Sequence, residues 1–544
     1  MKNAEIVIGL LAGVALLAAI AQRAGLPYAA VLVLGGLVLG VIPGIPRIHL
    51  DPQLVLLGFL PPLVYATAFQ AASYNLRPNL VHILTLATGL VLLTVVVVAA
   101  AGRAVAGLPW VSAFVLGALA APTDPVSASS VMRDVGAPER VVAILEGESL
   151  INDGTGLAAF QVAVVAAGGG ISVGSGVLRF IAISVGGAAV GLVAGWVLVR
   201  LRRRLDEPSL EIVLGLLAAF GSYVAAYAIG WSGVLAAVTA GLYAGRHAED
   251  ISSAGTRLNV EPFWDALTFV LESMLFLLIG LQLPSIVSGL HGSVGTGILD
   301  GAVIVAVVFA VRGAWMATLR VMPPAVGRTI AAVVERLPGA GRLATSAGEP
   351  LSGRELTVLG FSGMRGSLSL AGALSIPLLV SHHAFAARDQ VIFLVYIVVI
   401  GTLVLPSLML ETVVRRLGLA GEDELRRLDL EARTRIVHAG LARLDELGPE
   451  SGVPQDTIDR LRALLELRLE RLDAQRRRDG AGPGDGSGDG SAQADLDAAV
   501  HRLRREVIGA ERQALAELRE RRRVPAQVLA RIQRDIDLDE IRLH

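Results

Sequence analysis

Apolar stretches of about 20 residues, the length a helix needs to cross the hydrocarbon core of a bilayer, recur through the first four hundred residues of this chain. About thirteen candidates can be drawn, at roughly 4–22, 28–44, 52–72, 79–101, 109–132, 140–167, 175–200, 209–229, 231–246, 263–284, 298–321, 355–381 and 390–414. Composition agrees: 53% of residues are hydrophobic and only 17% charged, where soluble domains carry about 25% charged residues. The 61 glycines suit helices that approach closely in lipid. With no cysteine, neither disulfides nor thiolate metal sites are available. The fold class expected is therefore an all-α polytopic membrane protein. The first apolar run lacks a clear cleavage site and reads as a retained span rather than a signal peptide.

Loop charge sets the orientation. Alternate loops hold Arg23; Arg77; Arg133 and Arg140; Arg200, Arg202, Arg203 and Arg204; Arg246 and Arg257; and the 322–354 connection with Arg328, Arg336, Arg342 and Arg354. The intervening loops offer little beyond Arg47, Arg103 and Arg388. Positive loops stay inside, so the N-terminus is expected outside and the C-terminus in the cytoplasm of a multi-pass plasma-membrane protein. After about residue 415 the composition turns to Glu, Arg, Leu and Ala, which favours helices. The chain thus divides into a transmembrane domain, 1–415, and a cytoplasmic helical tail, 416–544. A Gly/Ser/Asp-rich linker at 480–493 interrupts the tail. A solvated appendage and a regulatory module both remain open for the tail. The net charge of −1 gives no reason to expect a nucleic-acid partner.

An ionisable group inside the bilayer is costly, roughly 3 kcal/mol or more, so each one needs a partner or a polar pathway. "APTDPVSASSV" carries two prolines, Pro122 and Pro125, which remove backbone donors and clash with the preceding turn. The Thr123 carbonyl between them should be freed to face a cation, as in the broken helices that build midplane ion sites. In the next span, "EGESLINDGTGL" places Ser149 and Asp153 one turn apart on one face, with Glu146 two turns before Asp153. Glu148 and Asn152 form a second i, i+4 pair on an adjacent face. Carboxylate, hydroxyl and carbonyl oxygens suit a hard monovalent cation. "GFSGMRGSLSLAG" marks a second interrupted span around Arg365. Arg365 cannot lose its proton and needs a carboxylate; Glu148 is the expected partner. The two interrupted spans lie seven apart. Repeats of spans one to six and eight to thirteen, joined by the seventh, would then be inverted.

These two motifs, with "FLPPLVYATAF" and "FLLIGLQLP", occur in order across roughly residues 5–415 and resemble the monovalent cation:proton antiporter family of NhaP-type bacterial exchangers and animal sodium/proton exchangers. The resemblance implies secondary exchange of Na⁺ for H⁺ by alternating access in a homodimer, serving pH and sodium homeostasis. An Asn-Asp pair in the sixth span implies electroneutral exchange. Carried over, Asp153 is the ion and proton carrier and Asn152 its neighbour. Ser149 and the Thr123 carbonyl are Na⁺ ligands, and Asp124 acts through water or by supporting the break. The chain departs from the family where many relatives carry Glu, reading "LPPLVYA" with Ala66. Glu272, in "FVLESMLF", is either a second titrating group or compensating charge, or a paired structural acid, and Glu146 reads as a vestibule acid. No cofactor is expected beyond the transported ions, and no enzyme activity: neither an HExxH sequence nor a Walker A motif occurs. A K⁺/H⁺ exchanger is the near alternative. A cation channel is a more distant one, lacking a repeated filter sequence.

Overall fold

The computed structural model describes residues 2–24, 28–42, 52–72, 76–169, 173–203, 207–251, 254–290, 293–321, 350–380, 383–419, 421–447, 455–478, 507–519 and 524–541. The expected linker at 480–493 and Arg47, Arg204, Arg328, Arg336 and Arg342 lie outside them. Two compact units emerge, one of Met1–Ser252 with Val260–Ala420, the other of Ser253–Asn259 with Gly421–His544.

The first unit opens with α1 (Lys2–Ala24), α2 (Tyr28–Val41), α3 (Pro52–Gly58) and α4 (Leu60–Ala71). The chain bends at Phe59, where Pro61 and Pro62 enter the first turn of α4 and their missing N–H groups are tolerated. α5 (Leu80–Val105) passes through one π-helical turn at Thr85–Leu90. α6 (Trp110–Ala120) stops before Pro122, and α7 (Val126–Asp134) restarts after Pro125. The proline-broken span expected at 109–132 is thus two half-helices. Then follow α8 (Glu139–Ala167), α9 (Val173–Arg202), α10 (Pro208–Ala228), α11 (Gly233–Ile251), α12 (Ala254–Ser288) and α13 (Val294–Val321).

The second interrupted span divides likewise into α14 (Gly353–Phe361) and α15 (Ser367–Leu374). Ser352 starts α14 with a capping box: its Oγ accepts from Glu355 N–H at 3.2 Å, and its own N–H donates to Glu355 Oε2 at 2.7 Å. A two-stranded turn, Leu379–Val380 against His383–Ala384, leads to α16 (Arg388–Arg416).

Among the described residues, seven helices are long and apolar enough to span a bilayer: α5, α8, α9, α10, α13, α16 and residues 259–288 of α12. Shorter apolar helices occur at Ile8–Ala24, Tyr28–Val41, Val55–Ala71 and Trp110–Ala120. The half-helices are short because prolines and glycines divide spans that the hydropathy reads as continuous. Large apolar side chains stand exposed along the long helices, among them Leu178, Val193, Leu217 and Leu299. Such a surface suits lipid, where it needs no polar cover. The chain is an all-helical membrane-embedded protein.

α2 and α12 meet backbone to backbone. A Cβ on Gly36 would run into the Leu277 carbonyl, and one on Gly280 into the Val33 carbonyl. Small residues at both positions allow that approach.

The second unit packs its own core. α17 (Glu422–Leu447), α18 (Gln455–Arg478), a helix over 507–519 (α19) and α20 (Ala526–Ile541) bury Ile436, Leu515, Leu518 and Ile532. Arg433 pairs with Asp535 at 2.6 Å, and Arg512 with Asp537 at 3.0 Å.

Candidate functional site

The two interruptions meet. The Asp124 N–H donates to the Met364 carbonyl at 2.8 Å, tying one unwound segment to the other. Arg365 bridges the same crossing: Nε donates to the carbonyl of Ala120 at 3.0 Å, and Nη1 to that of Gly363 at 2.5 Å. Ala120 ends α6, and Gly363 lies just past α14. Helix C-termini leave carbonyls without intrahelical partners and gather negative potential, so a guanidinium is favoured there. The complementary charge lies at the other end. The Asp124 carboxylate packs against Gly366, the residue that opens α15, and a Cβ at Gly366 would overlap it. An anion is favoured at that N-terminus, and only glycine leaves it room.

This placement corrects the expected Glu148–Arg365 pair. Glu148 is paired with Arg312 of α13 instead, by two parallel bonds: Nη1 to Oε1 at 2.6 Å and Nη2 to Oε2 at 2.9 Å. Their side chains are 1% and 2% exposed. Arg312 Nε also donates to the Leu359 carbonyl at 3.0 Å, in the last turn of α14. Arg365 is held by backbone carbonyls at the crossing, which leaves the carboxylate to the guanidinium that reaches it bidentately. Sequence reasoning missed Arg312, although the signal was of the same kind as for Arg365: a lone arginine inside an apolar span.

A second chain of contacts runs from Glu148 to the break. Thr123 Oγ1 donates to Glu148 Oε1 at 3.2 Å and accepts from Asn152 Nδ2 at 2.7 Å. Asn152 Nδ2 also reaches the Thr123 carbonyl at 3.4 Å. The adjacent-face pair Glu148 and Asn152 therefore grips Thr123 from α8 and fixes the unwound backbone.

The other face of α8 borders a cavity. Asp153 and Ser149 line it together with Thr123, Asp124 and Pro122 from the break; Gly366, Ser367 and Ser369 close it from α15. Its lining contains no Arg, Lys or His. Ser149 Oγ and Asn152 Oδ1 are buried and have no hydrogen-bond partner among the described residues. Buried polar atoms left unpaired point to a missing ligand. Carboxylate and hydroxyl oxygens around a cavity free of basic groups are a donor set for a hard monovalent cation.

The remaining expectations separate. Glu272 lines this same cavity. Glu146, read on the Asp153 face, does not line it; it pairs with Arg133 at 3.4 Å. Ala66 lies with Tyr65, Ala218 and Ala240 in another apolar cluster, while Leu63, Val64 and Thr67 of α4 face the cavity. Ala66 itself therefore does not line this cavity. His247 Nδ1 contacts the Tyr243 carbonyl at 2.8 Å, an ordinary helix-end contact.

The family model for the sodium/hydrogen exchanger, transmembrane, matches residues 10–416. The uncharacterized Na(+)/H(+) exchanger Rv2287 of Mycobacterium tuberculosis is 32% identical, over 99% of this chain and 97% of its own. The Na(+)/H(+) antiporter ApNhaP of Aphanothece halophytica is 33% identical, over 80% of this chain and 78% of its own. Among solved structures, the sodium proton antiporter MjNhaP1 of Methanocaldococcus jannaschii superposes with a TM-score of 0.57 at 19% identity, covering 78% of this chain and all of that one, and so shares the fold. These relatives are transporters rather than enzymes. With its crossed half-helices and acid-lined cavity, the chain belongs to the sodium/hydrogen exchanger family.

Proposed function

We propose that this protein exchanges one Na⁺ for one H⁺ by alternating access, with Asp153 as the shared carrier. The observation that carries this reading is the cavity at the helix crossing. There Asp153 and Ser149, whose Oγ is unpaired, face an opened backbone at Thr123 with no basic side chain. Na⁺ is the transported substrate, held by Asp153, Ser149 and Thr123; Asn152 fixes Thr123, and Asp124 supports the break.

Exchange follows from competition. Desolvation penalises a bare carboxylate at this depth, so Asp153 takes a proton when no cation is present and loses it when one arrives. Either loaded form leaves the Asp153 site neutral. The unloaded form is charged and cannot cross an apolar gate without the same desolvation cost. One carrier that takes either ion makes exchange electroneutral and needs no further coupling device.

The arrangement around that carrier extends the reading. About thirteen crossings in inverted repeats account for two half-helix pairs meeting at one point. Residues 1–415 form the exchange domain and 416–544 a cytoplasmic tail. Loop arginines favour an external N-terminus in the plasma membrane. Assembly as a homodimer, and service in pH and sodium homeostasis, are carried over from the family resemblance.

Proteoliposomes loaded with a pH-sensitive dye test the proposal, with Na⁺, Li⁺ and K⁺ added separately. A proton flux driven by Na⁺ is expected. Response to none of the three overturns the proposal, and response to K⁺ alone replaces sodium with potassium.

A further inference from the structure

The cavity has a wall that the crossing helices do not supply. Glu272, in the middle of α12, borders it beside Asp124 and Asp153. The hydroxyl of Tyr28, the first residue of α2, donates to Glu272 Oε2 at 3.1 Å. The two helices are locked through the Gly36–Gly280 contact, so donor and acceptor sit on one close-packed pair. The Tyr28 ring is wedged between Phe269 and Phe276, one turn either side of Glu272, at centroid distances of 6.1 and 6.4 Å.

Glu272 is buried, Tyr28 from α2 and Asp124 from the break act on it, and Asp153 from α8 lines the same cavity. One is a neutral donor and two are acids. A buried carboxylate with such neighbours draws positive charge into the cavity to offset its desolvation. The three carboxylates do not close on one point as a ligand cluster among the described residues.

We propose that Glu272, fixed by Tyr28, is the second acid of the ion site, ionised whether Na⁺ or a proton occupies Asp153, and that its charge tightens both ions there. It is a positioning residue, and the inference rests on Asp153 being the carrier. A unit charge acting across a cavity of molecular size changes occupancy by about tenfold. The effect falls on both competing ions, because both are positive.

Sodium-driven proton flux in proteoliposomes, titrated with Na⁺ over a pH series, tests this. Glu272→Gln keeps the shape and removes the charge. Exchange should persist through Asp153, with half-saturating Na⁺ raised about tenfold at alkaline pH and the acid limb of the profile displaced to lower pH. A purely structural acid would move neither, and that result overturns the proposal. Should Glu272→Gln fail to reach the membrane, Tyr28→Phe is read on the same axes. It leaves the carboxylate but removes its donor, so half-saturating Na⁺ should rise at acid pH and converge on wild type at alkaline pH. A ratio unchanged across the series overturns the proposal. Asp153→Asn run alongside keeps the two readings apart: exchange persisting there overturns the carrier and with it this proposal, whereas loss of exchange there with Glu272→Gln unchanged from wild type overturns this proposal alone.

Discussion

Removing Arg312 should unfold the exchange domain more readily than removing any exposed arginine, and restoring charge balance should recover most of the loss. Arg312 makes two charge-assisted bonds to Glu148 and one to the Leu359 carbonyl, all out of contact with solvent. Arg312→Met leaves Glu148 buried with only the Thr123 hydroxyl as partner. Breaking one side of a buried ion pair costs about 3–5 kcal/mol. In a chain of this size that corresponds to a fall of roughly 5 °C in the unfolding midpoint. Glu148→Met should cost a similar amount, since it strands the guanidinium. The double replacement Glu148→Met/Arg312→Met exchanges the pair for apolar volume, a change that is often neutral or better. The Thr123 hydroxyl and the Leu359 carbonyl then need new partners, but no charge is stranded, so the double variant should be more stable than either single one. The assay is the thermal midpoint of detergent-purified protein by size-exclusion chromatography, all variants heated at one rate because unfolding of such proteins is commonly irreversible. The same cycle with Arg365 is the control. Arg365→Met and Glu148→Met should couple more weakly than the Arg312 cycle, because Arg365 hydrogen-bonds Ala120 and Gly363 and meets Glu148 only through space. Strong coupling of Glu148 to Arg365, with none to Arg312, would refute this pairing.

Two further substitutions probe the crossing itself. Gly366→Ala puts a Cβ where the Asp124 carboxylate lies, so it should displace that acid and cut Na⁺-driven flux at least tenfold with protein still in the membrane; wild-type flux would deny the close contact. Thr123→Val removes the hydroxyl shared by Glu148 and Asn152 and should cost about 1–3 kcal/mol, seen as a lower thermal midpoint, whereas an unchanged midpoint would show that neither partner depends on it.

The half-helices were legible in the sequence because prolines and clustered glycines leave backbone groups that only an opened, protein-lined segment can hold. Helical spacing likewise placed Asp153 and Ser149 on one face, and the cavity borders that face. Spacing within one helix says nothing about which neighbour arrives, and that is where the reading failed. Arg365 looked like the partner of Glu148 because both are buried charges. The crossing brings α6 and α14 carbonyl ends to Arg365, and α13 delivers Arg312 to the carboxylate. Glu146 shares a projected face with Asp153, yet Arg133 from α7 pairs with it. Ala66 seemed to mark a lost ligand, but the turn of α4 that meets the cavity presents Leu63, Val64 and Thr67. Contacts between Tyr28 and Glu272 span 244 positions and depend on a glycine seam that no local pattern announces.

The most direct test of the central claim is Na⁺-driven proton flux through Asp153→Asn in proteoliposomes, compared with wild type at equal reconstituted protein. Asparagine keeps the shape and can hold neither the proton nor the charge, so the account predicts no flux at any Na⁺ concentration while the protein remains folded in the membrane. Flux at the wild-type rate would contradict it.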